Sequence, residues 1–312
     1  MTDSMAIYVG TLGQGIMWSP DSGETWERIG YDEGMQSDAI VRALASHPRE
    51  RDILYAGTDQ GLYRSKDRGK HWKKVDSPLN DFCVWALTVD HDEPGVMYAG
   101  TGTPTSPGIF RSTDHGDTWE KRPMDIAEEC EAVGIPRVTD IVINPVNRRD
   151  IWVGFEADGV RRSTDAGDSW VMVGDGLVED DIHSIAVSEG PPNTVFVVTN
   201  KDVYISLDNG EMFNPIGIRD SFPLPFPRAI KVQPGNPNVI FLTIGDTTPG
   251  RTGTVMRSVD TGRTWEPLVL PEEPNASMWV MDIQVDDPQV IFAASRFGYL
   301  YRSKDGGDSW EK

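Results

Sequence analysis

An octapeptide of the form Ser-x-Asp-x-Gly-x-Thr-Trp recurs seven times along the 312 residues of this chain. The distance between successive copies ranges from 43 residues (Ser163 to Ser206) to 52 residues (Ser206 to Ser258). That period is typical of a propeller blade made of four antiparallel strands. The chain is therefore predicted to be all-β, a seven-bladed β-propeller that occupies residues 1–312 as a single domain. The copies begin at Ser19, Ser65, Ser112, Ser163, Ser206, Ser258 and Ser303.

Each repeat reads as four short β-rich runs, which we name strands A to D. In the second copy these runs cover residues 41–46, 53–58, 61–65 and 71–75, separated by Gly, Pro and Asp. The octapeptide is predicted to be the hairpin between strands C and D. Its Ser and Asp side chains bond backbone amides, its Gly takes positive φ, and its Trp packs onto the blade. Because every blade repeats this feature, we interpret it as structural.

The two ends of the chain leave the repeat incomplete. The first copy supplies strands B to D only, and Lys312 lies just inside strand D of the last copy. Closed propellers commonly complete one blade with strands from both termini, which removes an exposed edge. Strand A of blade 1 is therefore predicted to be missing or to be supplied by a C-terminal tail.

Charge and composition narrow the classes of partner. With 29 basic and 49 acidic side chains, the formal charge of −20 repels nucleic acid and anionic lipid, so neither is expected as a partner. No signal peptide or apolar span is visible, which favours the cytoplasm. Cys83 and Cys130 are too few for a disulfide framework, and no metal-binding spacing occurs. No metal and no cofactor are expected.

The repeats resemble the Asp-box (BNR) repeats of sialidases, sortilin-type receptors, some xyloglucanases and the Ycf48-like assembly factors of photosystem II. This resemblance implies that ligands bind at the top centre of the propeller, around the start of the innermost strand A. Aligning the strand A copies on their apolar residues gives one shared position near that site. Its variety suggests a shaped ligand site, with solvated loop residues as the alternative. The aligned residues are Arg42, Trp85, Thr139, His183, Arg228 and Met281.

Candidate site residues follow from this placement. Arginines could grip a carboxylate or phosphate, and tryptophans could stack on a sugar ring. The predicted substrate-binding residues are Arg42, Trp85, Arg137, Arg228, Arg251, Trp279 and Arg296. An imidazole or a pair of carboxylates roughly 5 to 9 Å apart could supply acid and base. The predicted catalytic residues are His183, Asp140, Asp282 and Glu156.

Two functions remain open at this point. We favour a cytoplasmic hydrolase-like enzyme, glycosidase-like or a lyase, that binds a small anionic or sugar-like substrate in a central funnel. The alternative is a non-catalytic binding or assembly propeller that presents a basic patch to a protein partner. The sialidase resemblance implies an Arg-Ile-Pro motif before the first repeat, which is absent; Ile135-Pro-Arg137 and Phe226-Pro-Arg228 have the reverse order. A classical sialidase is therefore not predicted.

Overall fold

The computed structural model describes residues 5–190 and 193–312, which group into two compact units. Unit 1 comprises Met1–Ile143 and Ser163–Trp170, and unit 2 comprises Asn144–Arg162 and Val171–Lys312. Antiparallel strands dominate both, beside a 3-10 helix at Pro78–Asp81 and a one-turn α-helix, α1, at Ile218–Ser221. No helix in the described residues is long and apolar enough to cross a membrane. The predicted all-β class is confirmed.

Unit 1 contains successive antiparallel sheets in the order β1-β2-β3, then β4-β5-β6-β7, then β8-β9-β10-β11. A further strand, β12, pairs with β9 through Arg137 and Gly102. The strands are β1 Ile7–Gly10, β2 Ile16–Ser19, β3 Glu27–Ile29, β4 Val41–Ser46, β5 Leu54–Thr58, β6 Gly61–Ser65, β7 Lys73–Lys74, β8 Cys83–Val89, β9 Met97–Gly102, β10 Gly108–Ser112, β11 Glu120–Arg122 and β12 Arg137–Ile143.

Unit 2 repeats the pattern with the sheets β16-β17-β18-β19, β20-β21-β22-β23 and β24-β25-β26. Strands β14 and β15 pair as a hairpin. The strands are β13 Ile151–Glu156, β14 Gly159–Ser163, β15 Val171–Val173, β16 Ile182–Ser188, β17 Thr194–Thr199, β18 Val203–Ser206, β19 Asn214–Pro215, β20 Phe226–Gln233, β21 Asn236–Gly245, β22 Gly253–Ser258, β23 Glu266–Pro267, β24 Met278–Ile283, β25 Ile291–Ser295 and β26 Leu300–Ser303. The blade count and the single domain remain predictions.

The octapeptide forms the hairpin between the third and fourth strands, as predicted. In the sixth copy, Ser258 Oγ donates to Asp260 Oδ1 at 2.9 Å and accepts the Gly262 N–H at 2.8 Å. The hydroxyl and N–H of Thr264 bond the same carboxylate and, with Ser258, lower the pKa of Asp260 to about 2. The indole N–H of Trp265 closes the turn on the Gly262 carbonyl. The aspartate of this hairpin is thus ionised, and its hydrogen bonds are formed within the octapeptide itself.

The arginine that precedes the octapeptide serine has a structural role. In unit 1, Arg64 donates to the carbonyl of His115, at 3.1 Å, and Arg111 donates to that of Ala166, at 2.8 Å. In unit 2, Arg257 reaches the carbonyl of Gly306 at 3.2 Å. Each acceptor lies three residues after the serine of the next octapeptide. These arginines therefore tie consecutive repeats together through backbone groups.

A shift in strand register marks the first strand of five sheets. An extra residue in one strand of an antiparallel pair bends the strand and re-aims a side chain. The shifts fall at Arg42, Trp85, His183, Arg228–Ala229 and Trp279. The predicted alignment is wrong in the last repeat, because Trp279 holds the shifted position while Met281 pairs with Ala293 and is buried.

The turn after β4, the first strand of the second sheet of unit 1, contains the buried His47. Its Nδ1 accepts the N–H groups of Arg49, at 3.3 Å, and Glu50, at 2.9 Å. Asn144 Oδ1 accepts the same two bonds, from the residues two and three positions further on. Because Nδ1 accepts, neutral His47 carries its proton on Nε2, which lies 3.3 Å from His115 Nδ1. The hydrogen bonds of this turn therefore require that His47 is neutral.

His47 is expected to make the stability of the fold depend on pH. Burial lowers the pKa of His47 and outweighs the opposing effect of Glu50, while His115 and Arg49 lower it further. His47 therefore binds a proton more readily in the unfolded chain than in the folded chain. The free energy of unfolding falls as pH drops below about 6.5, the ordinary pKa of histidine.

His47→Asn keeps the turn acceptor, as Asn144 does, and removes the titration. Urea unfolding at pH 7.5, 6.5 and 5.5 should give a shallower loss of stability in His47→Asn than in the wild type. Identical pH profiles for the two proteins would contradict this account of the turn.

Candidate functional site

The principal candidate site lies in unit 2 and is centred on Trp279. The guanidinium carbon of Arg228 lies 4.0 Å from the centroid of the Trp279 ring, and that of Arg296 also lies 4.0 Å away. The π-face of an indole attracts a cation by about 0.5–2 kcal/mol, which offsets the mutual repulsion of two guanidinium groups. We call Arg228, Trp279 and Arg296 the unit 2 cluster. All three were predicted as substrate-binding residues.

An aromatic contact extends from this cluster to the predicted base His183. The ring of Phe226 stacks on Trp279 with 6.5 Å between centroids, and His183 meets Phe226 edge-on at 5.4 Å. The Pro227 carbonyl can only accept a hydrogen bond, so His183 Nδ1 donates to it at 3.0 Å. Nε2 then lies 3.8 Å from Asp181 Oδ1. Only 8% of His183 is exposed, so it chiefly supports the Phe226 ring.

A cleft of about 380 Å³ opens beside Phe226. Its lining combines a cation, a carboxylate, an amide and a hydroxyl with two apolar rings. The lining residues are Asn200, Arg219, Pro225, Phe226, Asp246 and Thr247. In the part of the chain that the structure describes, Asn200 Oδ1 is buried and has no hydrogen-bond partner. A buried acceptor without a donor costs free energy, which a ligand could recover.

The loop of residues 246–252 is held against the unit 2 cluster by Ser277. Ser277 Oγ donates to the Thr247 carbonyl, and the N–H of Arg296 donates to the Ser277 carbonyl at 3.0 Å. Gly250 has φ of 78°, and a Cβ there would lie 2.2 Å from Ser277 Oγ, so this position requires glycine. The Arg251 side chain, predicted to bind substrate, is exposed on this loop.

Two predicted carboxylates also belong to unit 2. Glu156 ends strand β13 and is half-buried. Asp282 lies on β24, and its side chain is exposed to solvent. The protein atoms around its carboxyl group nevertheless desolvate that group, and this desolvation raises its pKa. Lys231 and the Ile283 N–H oppose that rise in pKa without cancelling it. Asp282 lies three residues after Trp279, which holds the shifted position.

Unit 1 contains a second cluster of the same composition. The guanidinium carbons of Arg42 and Arg137 lie 4.0 and 4.5 Å from the ring centroid of Trp85. The indole N–H of Trp85 donates to the Thr103 carbonyl at 2.7 Å, which fixes the ring. A Cβ on Gly102 would lie 2.3 Å from that of Arg137, so glycine is needed for this approach. Three predicted binding residues therefore meet in this unit.

The remaining predicted catalytic residue, Asp140, lies on β12 of unit 1. It is half-buried, and its Oδ1 accepts the N–H of Ile141 at 3.0 Å. Among the described residues, no group of three or more His, Cys, Asp or Glu side chains is placed to hold a metal ion.

Sequence reasoning missed the cleft residues. Phe226 is the one with a local signal, since it precedes Arg228 by two residues at the start of the same strand. Asn200 and Arg219 come from other segments, after β17 and within α1, and only folding brings them to one cleft. No spacing along the chain could have joined them.

Comparisons with known proteins place these features in context. The family model described as "Sortilin, neurotensin receptor 3" matches residues 14–135. An oligoxyloglucan-reducing end-specific xyloglucanase of Emericella nidulans is 24% identical over 199 residues, covering 56% of this chain and 24% of that protein. This chain thus spans about a quarter of that relative.

Solved structures agree on the fold. The GH74 enzyme of Niastella koreensis superposes with a TM-score of 0.69 at 19% identity, covering 87% of this chain and 44% of that one. The structure described as "YCF48 bound to D1 peptide" gives a TM-score of 0.61 at 14% identity, covering 100% and 84%. The antiparallel sheets and these similarities define the class of the protein, a β-propeller.

Proposed function

We propose that this chain is a binding propeller that recognises the carboxylate of an anionic ligand at the unit 2 cluster. The observation that carries the proposal is the pair of guanidinium groups, each 4.0 Å from one indole. A guanidinium presents five N–H donors in a planar fork that matches a carboxylate. The chain carries a net charge of −20, so an anion binds only where positive charge is concentrated.

The ligand class that we propose is a polypeptide with a free carboxyl terminus. Beside the arginines, Val280 and Phe297 directly follow Trp279 and Arg296 in sequence and are 52% and 59% exposed. Aromatic and arginine side chains are enriched at protein-binding surfaces. Further support comes from the structural similarity to a propeller that is described as bound to a peptide.

Hydrolysis of a glycosidic substrate is the second candidate function. The raised pKa of Asp282 suits a general acid, and a xyloglucanase is among the relatives. Glu156 is the carboxylate in unit 2 that we would pair with it. Binding ranks first because it rests on contacts within the cluster, whereas hydrolysis also requires two carboxylates at a defined separation. A cytoplasmic location remains part of either proposal.

The test compares two pools of random hexapeptides, one with free and one with amidated carboxyl termini. Retention on immobilised wild-type protein should favour the free acids. Arg228→Gln should weaken that retention about 10- to 100-fold, because it removes charge-assisted hydrogen bonds worth about 1.5–3 kcal/mol. Arg263→Gln is the matched control, since it removes the same charge from an exposed position of unit 2 outside the cluster and should retain binding.

Other outcomes would redirect the proposal. Equal retention of acids and amides by the wild-type protein would contradict carboxylate recognition. Release of reducing ends from xyloglucan by the wild-type protein, abolished in Asp282→Asn, would favour the second candidate. Equal losses in Arg228→Gln and Arg263→Gln would indicate a diffuse charge effect rather than a site.

A further inference from the structure

The residues that line the cleft beside Phe226 indicate which ligand side chain is selected in addition to the carboxylate. Resting on the proposed function, we infer that this cleft binds a neutral side chain that both donates and accepts hydrogen bonds, of which a carboxamide is the best match. The cleft adjoins the unit 2 cluster because Phe226 lines the cleft and also stacks on Trp279. A ligand held at the cluster therefore has this cleft as its neighbour.

The charge of the cleft argues against an ionic occupant. Arg219 contributes one positive charge, and Asp246 contributes one negative charge, so the formal charges of the lining cancel. Desolvation raises the pKa of Asp246, but the backbone N–H groups of Arg251, Thr252, Asp246 and Thr247 together outweigh it and lower the pKa overall. Asp246 is thus ionised at neutral pH. An ammonium would be attracted by Asp246 and repelled by Arg219, and a carboxylate would experience the reverse, so neither ion gains a net attraction from the lining.

Hydrogen bonding selects among neutral groups. The buried Oδ1 of Asn200, unpartnered among the described residues, requires a donor, and the exposed guanidinium of Arg219 can donate to an acceptor. A carboxamide supplies both from one planar group. Phe226 and Pro225 provide an apolar wall for the methylene groups that carry it.

The distance between Phe226 in the cleft and Trp279 in the unit 2 cluster indicates which residue of the peptide would place its side chain in the cleft. The ring centroids of Phe226 and Trp279 are 6.5 Å apart, and consecutive Cα atoms are about 3.8 Å apart. The cleft residue should therefore be one or two positions before the terminal carboxylate.

The experiment uses hexapeptides with free carboxyl termini, derived from one retained sequence and varied at each of the two positions before the last residue. Gln should bind about tenfold more tightly than norleucine, Glu or Lys at one of these positions. In Asn200→Leu, Gln and norleucine should bind alike. In Asn200→Asp the cleft gains a negative charge, so Lys should become the preferred residue. Unchanged thermal midpoints establish that both variants are folded.

The outcomes separate this inference from the proposed function. If free acids are preferred over amides but Gln and norleucine bind equally to the wild-type protein, the cleft inference is overturned alone. If a xyloglucan oligosaccharide displaces the Gln peptide from the wild-type protein but not from Asn200→Leu, a hydroxyl-bearing sugar occupies the cleft and the carboxamide is overturned. Loss of carboxylate dependence in the wild-type protein would overturn the proposed function itself.

Discussion

Gly210→Ala is expected to lower the free energy of unfolding by about 2–5 kcal/mol. Gly210 has φ of 86°, a conformation that costs an alanine about 1–2 kcal/mol. A Cβ at this position would also lie 2.1 Å from the ring of Trp152. That indole is fully buried in unit 2, so it cannot move aside, and overpacking adds about 1–3 kcal/mol. Urea unfolding followed by tryptophan fluorescence measures the change.

The same unit offers a matched control for the backbone contribution. Gly217 has φ of 74°, but nothing lies within 4 Å of an added Cβ. Gly217→Ala should therefore cost only the backbone part, about 1–2 kcal/mol. The steric part can be relieved by Trp152→Leu, so the double variant should lose less than the sum of its single changes. Equal effects of both glycine substitutions would show that the contact with Trp152 is not limiting.

The hairpins were predictable because their chemistry is local. Ser258, Asp260 and Gly262 lie within five residues, and their hydrogen bonds follow from side-chain reach alone. Because these hairpins recur at similar spacings along the chain, the sheets that contain them are expected to be of similar size. His47 shows the limit of local reasoning. Its place in a turn was readable, but its neutral form depends on two backbone N–H groups and on burial, which only folding defines.

The candidate site was predicted in part, and the errors have a physical origin. Apolar alternation aligned Met281 with Arg42, because a pattern with a two-residue period looks the same after a shift of two residues. The register shift at Trp279 moves the true equivalent by two positions. Contacts such as those of Arg228 and Arg296 with Trp279 join separate strands and loops, and composition alone could not pair them.

Trp279→Leu is expected to weaken binding of free-acid peptides about 30- to 1000-fold, which corresponds to about 2–4 kcal/mol for a tryptophan at the centre of a binding site. The indole contacts both Arg228 and Arg296 and stacks on Phe226. Leucine fills part of the volume but has no π-face, so the two guanidinium groups lose the attraction that holds them together. Isothermal titration with one retained peptide measures the loss.

Two further variants decide whether that loss reports the cluster. Trp279→Phe keeps a π-face and should bind with an affinity between those of wild type and Trp279→Leu. Trp85→Leu makes the same change in the equivalent cluster of unit 1, where Arg42 and Arg137 contact the ring. It should leave peptide affinity near that of the wild type, because the proposed site lies within unit 2. Equal losses in Trp85→Leu and Trp279→Leu would mean that carboxylate recognition is not confined to the unit 2 cluster.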